Sequence, residues 1–72
     1  MNDWEAEKAI RESIEHLAAL NQPLNYITVP EAAIHRLDTA GFSDRIYRAI
    51  GAMVKRGVLV APQEPWGKWH LQ

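Results

Sequence analysis

Apolar residues recur every three or four positions in three segments of this chain, the spacing that places them on one face of a helix. This pattern predicts helices over about residues 4–20, 29–38 and 43–56. The apolar face of the third helix holds Ile46, Ala49, Ile50, Met53 and Val54. The corresponding face of the first helix holds Ala6, Ile10, Ile14, Leu17 and Ala18. Each helix therefore has a side to bury against the others.

Residues that favour helix ends flank the first two predicted helices. Asp3 is placed to act as the N-cap of the first helix, and Asn21 favours its end. Residues 24–27 then predict a short extended segment. Thr28 and Glu31 follow at capping-box spacing, which predicts that Thr28 is the N-cap of the second helix.

A turn precedes the third helix. Gly41 supplies the left-handed conformation that a tight turn needs. Ser43 is expected to be the N-cap, and Phe42 before it is expected to pack on Tyr47 as a hydrophobic staple. Gly57 predicts the end of this helix.

The C-terminal segment predicts a β-hairpin over about residues 58–71. Its first strand is apolar and β-branched, and prolines and a glycine fill the loop at residues 62–67. The alternation after the loop places Trp69 and Leu71 on one face. The expected fold is α+β and mostly helical, with three helices and a hairpin in a single domain of residues 1–72.

The net charge of −1 conceals an asymmetry along the chain. Five acidic and two basic residues give residues 1–22 a charge of −3, and residues 23–41 sum to −1. Five basic and two acidic residues give residues 42–72 a charge of +3. Such an asymmetry can orient a protein on a charged partner, although an excess of three charges is small enough to arise by chance. Glu7 and Arg11 are one of several ion pairs expected on an exposed face of the first helix.

The polar face of the third helix is basic and rich in small side chains. It holds Asp44, Arg48, Ala52 and Lys55, with Arg45, Gly51 and Arg56 beside them. Gly51 costs about 1 kcal/mol relative to alanine inside a helix, and either close approach of DNA or packing of another helix would explain it. This face suits contact with a polyanion, and we hypothesise that it is a recognition surface.

Several classes of function lack a basis in the sequence. The chain has no cysteine, which excludes disulfides and thiolate metal sites. His16, His35 and His70 lie on separate elements without the spacing of metal ligands, so no metal or other cofactor is expected. No catalytic constellation supports an enzyme. No apolar run approaches the roughly 18 residues of a membrane span, so a cytoplasmic protein is expected.

In its order of elements the chain resembles a winged helix-turn-helix domain, from about Asp3 to Leu71. The features that carry the resemblance are the short helix opening at Thr28, the turn at Gly41, the third helix ending before Gly57, and the final hairpin. The chain is similar to small bacterial or phage-type regulators, without an identified subfamily. The resemblance implies binding to double-stranded DNA, with the third helix in the major groove and the hairpin as a wing on the backbone.

The resemblance also implies a set of DNA contacts on the third helix and the wing: Ser43, Asp44, Arg45, Arg48, Lys55, Arg56, Gln63 and Lys68. Arg45 or Arg48 would form a bidentate contact with guanine. Lys55 and Arg56 would meet the phosphate backbone. Asp44 would either accept a hydrogen bond from a cytosine amino group or favour the helix N-terminus electrostatically, the second being preferred.

Two further expectations concern partners. A domain of this size touches a short DNA site, so a homodimeric transcriptional regulator is expected. The alternative is a winged-helix module that binds protein in a replication, transcription or phage-related assembly, which the near-neutral net charge favours. The first helix or the loop around Trp66 would then be the contact surface.

Overall fold

A computed structural model describes residues 3–37, 43–64 and 67–72 of the chain. It contains three helices and two short strands: α1 Trp4–Ala19, α2 Thr28–Leu37, α3 Ser43–Lys55, β1 Leu59–Val60 and β2 His70–Leu71. The fold is α+β and mostly helical, as predicted. Within the described ranges, none of the helices has the length and apolar character needed to cross a membrane.

Both ends of α1 form as the sequence predicts. Oδ1 of Asp3 accepts a hydrogen bond from the backbone N–H of Ala6 at 3.3 Å, which caps the first turn. Asn21 adopts a positive φ of 59°, and its amide and that of Gln22 donate to carbonyls in the last turn. This is the Schellman arrangement, in which a left-handed residue satisfies the final helical carbonyls.

The cap of α2 lies one turn earlier than predicted. Oδ1 of Asn25 accepts hydrogen bonds from the backbone N–H groups of Ile27 and Thr28, both at 2.9 Å. In return, Oγ1 of Thr28 accepts a hydrogen bond from the backbone N–H of Asn25 at 3.0 Å. Asn25 is therefore the capping residue and Thr28 its reciprocal partner, so the predicted box from Thr28 to Glu31 is wrong. The predicted extended segment at residues 24–27 is wrong for the same reason, since it forms this turn.

Helix α3 ends at Lys55, and Gly57 terminates it, as predicted. Gly57 has a φ of 77°, and the amides of Gly57 and Val58 donate to the carbonyls of Val54 and Met53, each at 3.0 Å. These two bonds again complete a Schellman motif, which requires a left-handed residue and so favours glycine. The predicted turn and staple at residues 41–42 lie outside the described residues.

The core lies where the three helices meet β1 and the residue before β2. Its buried apolar residues are Ala6, Ala9, Ile10, Ile14, Val29, Ala33, Ile46, Ala49, Ile50, Met53, Leu59 and Trp69. Ala18 and Val54, which were assigned to apolar helix faces, are exposed. Glu7 was predicted to lie on an exposed face of the first helix, and that prediction is wrong because its side chain is buried.

The strands pair antiparallel, with Leu59 opposite Leu71. The connecting loop is attached to the segment before α2. The hydroxyl of Tyr26 donates to the carbonyl of Pro62 at 3.0 Å, and the Tyr26 ring packs edge-on against Trp69 with centroids 5.3 Å apart. The amide of Trp69 also donates to the carbonyl of Leu24 at 2.9 Å. These contacts set the position of the loop relative to the helices.

Candidate nucleic-acid interface

One face of α3 points away from the rest of the described structure. At about 100° per residue, its exposed positions cover an arc of about 120°. They are Asp44, Tyr47, Arg48, Gly51, Val54 and Lys55, which we call the outer face of α3. Val54 and Tyr47 form one edge of this arc, Arg48 and Lys55 form the other, and Gly51 lies between them. The outer face is thus part apolar and part basic.

Arg45 lies beside the outer face, turned towards the start of α1. Its Nε and Nη2 donate to the two carboxylate oxygens of Asp3 at 2.5 and 2.8 Å, and Nη2 is 3.9 Å from Oε1 of Glu5. The bidentate hydrogen bonds from Arg45 hold the pKa of Asp3 below its ordinary value, and desolvation only partly opposes them. Asp3 therefore caps α1 and also joins α1 to α3.

Arg56 makes a second bidentate pair just after the end of α3. Its Nη1 and Nη2 donate to the carboxylate oxygens of Glu7 at 2.9 and 2.5 Å. The Glu7 side chain is only 5% exposed, whereas that of Arg56 is 34% exposed. Hydrogen bonding by Arg56 lowers the pKa of Glu7 against the opposing effect of burial. Glu7 is a buried carboxylate whose charge is matched by a single arginine.

These two pairs lie on the side of α3 that faces α1. Arg45 and Arg56 are 11 positions apart, about three helical turns, so they project from the same side of the helix. Their carboxylate partners belong to the first turns of α1. Arg45 was expected at a DNA base and Arg56 at phosphate, yet each is paired with a carboxylate at the start of α1.

Arg48 and Lys55 differ from these two residues. Both are exposed, and neither has a carboxylate within ion-pair distance in the part of the chain that the structure describes. Nε of Arg48 makes one long hydrogen bond of 3.4 Å to the carbonyl of Asp44, in the preceding turn. Asp44 is exposed near the N-terminus of α3, where an acidic side chain complements the helix dipole.

The predicted wing residues are placed at the surface. Gln63 and Lys68 are exposed and lie in the loop between β1 and β2. Gly67 is required there because a Cβ atom on it would lie 2.8 Å from Cβ of Pro62. Ser43 begins α3, and its side chain is outside the described part, as is Trp66.

Sequence reasoning missed two aspects of this region. Val54 was assigned to the apolar face of the helix, yet its side chain is exposed on the outer face, as is that of Tyr47. The sequence spacing could have indicated this exposure. Tyr47 is four positions before Gly51 and Val54 is three positions after it, so both lie on the same side of the helix as Gly51. The roles of Asp3 and Glu7 towards α3 had no local signal, because their partners are 42 and 49 positions away.

The described residues contain no group of three or more His, Asp or Glu side chains that could hold a metal ion. Comparison with protein-family models, curated proteins and solved structures finds no match to this chain.

Proposed function

We propose that this protein is a winged helix-turn-helix regulator that binds double-stranded DNA through the outer face of α3. In this proposal α3 enters the major groove, and the loop between β1 and β2 is the wing on the neighbouring backbone. The observation that carries the proposal is the position of Arg48 and Lys55: two exposed cations on a helix face that no other described element covers. A cationic helix face of this kind complements the charge of duplex DNA.

Gly51 supports the same surface. A Cβ atom at this position would meet nothing within 4 Å, so contacts with the described residues do not require glycine there. Glycine nevertheless costs about 1 kcal/mol relative to alanine in a helix interior. Packing against another described helix is no longer an explanation. Close approach of a groove wall or a phosphate to the helix backbone accounts for this cost.

The ion pairs of α1 change the roles assigned to the basic residues. Arg48, in the N-terminal half of α3, is proposed to contact a base edge, and Lys55 is proposed to contact phosphate. Arg45 and Arg56 are proposed to hold α3 against α1 and to reach DNA only at their exposed edges. Lys68, with Gln63 and Ser43, completes the proposed contact set, and a homodimer would place two such faces on paired half-sites.

Binding to a protein partner is the second candidate. Two of the four basic side chains at or beside α3 already have carboxylate partners, which leaves only Arg48 and Lys55 for phosphate. Tyr47 and Val54 add exposed apolar surface on the same face, and aromatic residues are enriched in protein interfaces. A near-neutral, partly apolar helix face would suit a protein groove.

A titration with duplex DNA tests the proposal. Fluorescence anisotropy would compare the parent with Arg48→Ala and Lys55→Ala across several duplex sequences and salt concentrations. Lys55→Ala should weaken binding to all sequences and reduce the salt slope by about one unit, because one phosphate contact is lost. Arg48→Ala should also change the preference among sequences.

Lys8→Ala is the matched control, since Lys8 is an exposed cation on α1. It removes the same charge from the protein without touching the outer face of α3. If Arg48→Ala and Lys55→Ala bind like the parent, or only as weakly as the Lys8→Ala control, the outer face is not the DNA-binding surface. Absence of binding by the parent at low salt would favour the protein-partner candidate.

A further inference from the structure

The outer face of α3 has an apolar edge that contacts with phosphate do not explain. Tyr47 is 54% exposed and Val54 is 38% exposed, and no other described element covers them. They are seven residues apart, so they lie on the same side of the helix about 10 Å from each other. An apolar edge beside two cations suits a ligand with apolar groups next to negative charge.

The major groove of DNA offers one apolar group, the 5-methyl group of thymine. We propose, on the basis of the DNA-binding function above, that Tyr47 and Val54 contact thymine methyl groups and make the protein prefer A·T base pairs at those positions. The separation of the two side chains corresponds to about three base-pair steps of about 3.4 Å each. Two thymines about three steps apart would therefore meet the two side chains at once.

Gly51 allows this approach. It lies one turn from Tyr47 and three residues from Val54, at the centre of the outer face, and its surroundings are open. Because Gly51 has no Cβ atom, no side chain separates the helix backbone from the base edges at this position. The helix can then enter the groove until both side chains meet the methyl groups.

The charges on the opposite edge match the same occupant. Arg48 and Lys55 are also seven residues apart, which places two cations parallel to the two apolar side chains. A helix lying in the groove with its apolar edge on the bases would place Lys55 next to one phosphate strand and leave Arg48 within reach of a base edge on that side. Charge complementarity therefore favours duplex DNA over an apolar protein groove as the occupant of this edge.

Thymine and uracil differ only by the methyl group, which permits a direct test. Anisotropy titrations would compare two DNA duplexes of equal length. In one duplex adenine alternates with thymine along each strand, and in the other every thymine is replaced by uracil. The parent should bind the thymine duplex more tightly by about fourfold for each methyl group contacted, the value expected for burying one such group. The double variant Tyr47→Ala/Val54→Ala should bind the two duplexes equally.

Ile27→Ala is the control, because Ile27 is 71% exposed but lies before α2. It should retain the preference of the parent for thymine. Circular dichroism would verify that each variant is folded. Equal binding of both duplexes by the parent, or a preference that persists in the double variant, would overturn the thymine contact and leave DNA binding intact. If the parent binds neither duplex at low salt, DNA binding itself fails and the thymine contact with it.

Discussion

Glu7 shows how a single residue can differ from its sequence context. It was expected on an exposed face beside Arg11, as one of several helical ion pairs. Instead it is buried and pairs with Arg56, a residue 49 positions away. A buried carboxylate persists when hydrogen bonds from a cation compensate for lost hydration. The carboxylate of Glu7 thus joins the first turns of α1 to the C-terminal end of α3.

Replacing Glu7 with glutamine should therefore destabilise the protein. The Glu7→Gln side chain keeps the shape of glutamate but places an amide group next to the Arg56 donors, so one charge-assisted hydrogen bond is lost. We expect the free energy of unfolding to fall by about 1–3 kcal/mol. Urea unfolding at pH 7, followed by circular dichroism, measures this change.

Glu12→Gln is the matched control on the same helix, since Glu12 is exposed. It should change the free energy of unfolding by no more than about 0.5 kcal/mol. Equal effects of the two substitutions would show that the Glu7–Arg56 pair does not stabilise the fold.

Among the elements, α3 performs two tasks on opposite sides. Its buried side carries Ile46, Ile50 and Met53 into the core, and its flank is held by α1 through Arg45 and Arg56. The outer face remains uncovered by the described structure. The carboxylates at the start of α1 pair with two of the arginines at or beside α3, and they thereby reduce the positive charge that the helix offers to a polyanion.

Replacing Gly51 with alanine should have opposite effects on the stability of the protein and on its binding to DNA. Gly51→Ala meets nothing within 4 Å, so it should stabilise the protein by about 0.5–1 kcal/mol through the better helix propensity of alanine. If a groove wall or phosphate approaches this position, the same substitution should weaken DNA binding. Thermal unfolding and anisotropy titration of one variant measure both effects.

Gly57→Ala is the comparison for Gly51→Ala. Gly57 also has open surroundings, but its φ of 77° is unfavourable for an alanine. This substitution should destabilise the protein by about 1–2 kcal/mol. A Gly51→Ala protein that is more stable and binds DNA as tightly as the parent would contradict close approach at Gly51.

For the whole molecule, two ion pairs between α1 and α3 make stability depend on pH. The pKa values of Asp3 and Glu7 are both lower in the folded protein than their ordinary values, because arginines hydrogen-bond the carboxylates. Folding then favours the ionised forms. The stabilisation is fully present above the ordinary carboxyl pKa values of about 4, and it is lost as the pH falls through the lower folded values.

The free energy of unfolding should accordingly fall on acidification below about pH 4.5. Urea unfolding at pH 7, 5 and 3 would measure the decrease. In the Glu7→Gln variant the decrease should be smaller, because one of the two titrating groups is absent. An identical dependence on pH in the parent and in Glu7→Gln would exclude Glu7 as a source of the acid sensitivity.

The sequence by itself determined the α+β class, the order of the three helices and the two hairpin strands, and most helix ends. Periodicity and capping act over a few residues, so Asp3, Asn21 and Gly57 could be assigned without the fold. The cap of α2 was misplaced because Asn25 and Thr28 both belong to a possible capping box. Local rules did not distinguish between the two.

The tertiary structure decided which polar residues remain available for a partner. Arg45 and Arg48 are three positions apart on one helix, yet Arg45 hydrogen-bonds Asp3, whereas Arg48 does not come within ion-pair distance of it. That difference depends on how α1 crosses α3, which is set by packing of both apolar faces in one core. Ion pairs spanning 42 and 49 positions arise from this packing and leave no periodic signal in the sequence. The physical reason is that local propensity determines where a helix begins and ends, whereas packing determines which residues it meets.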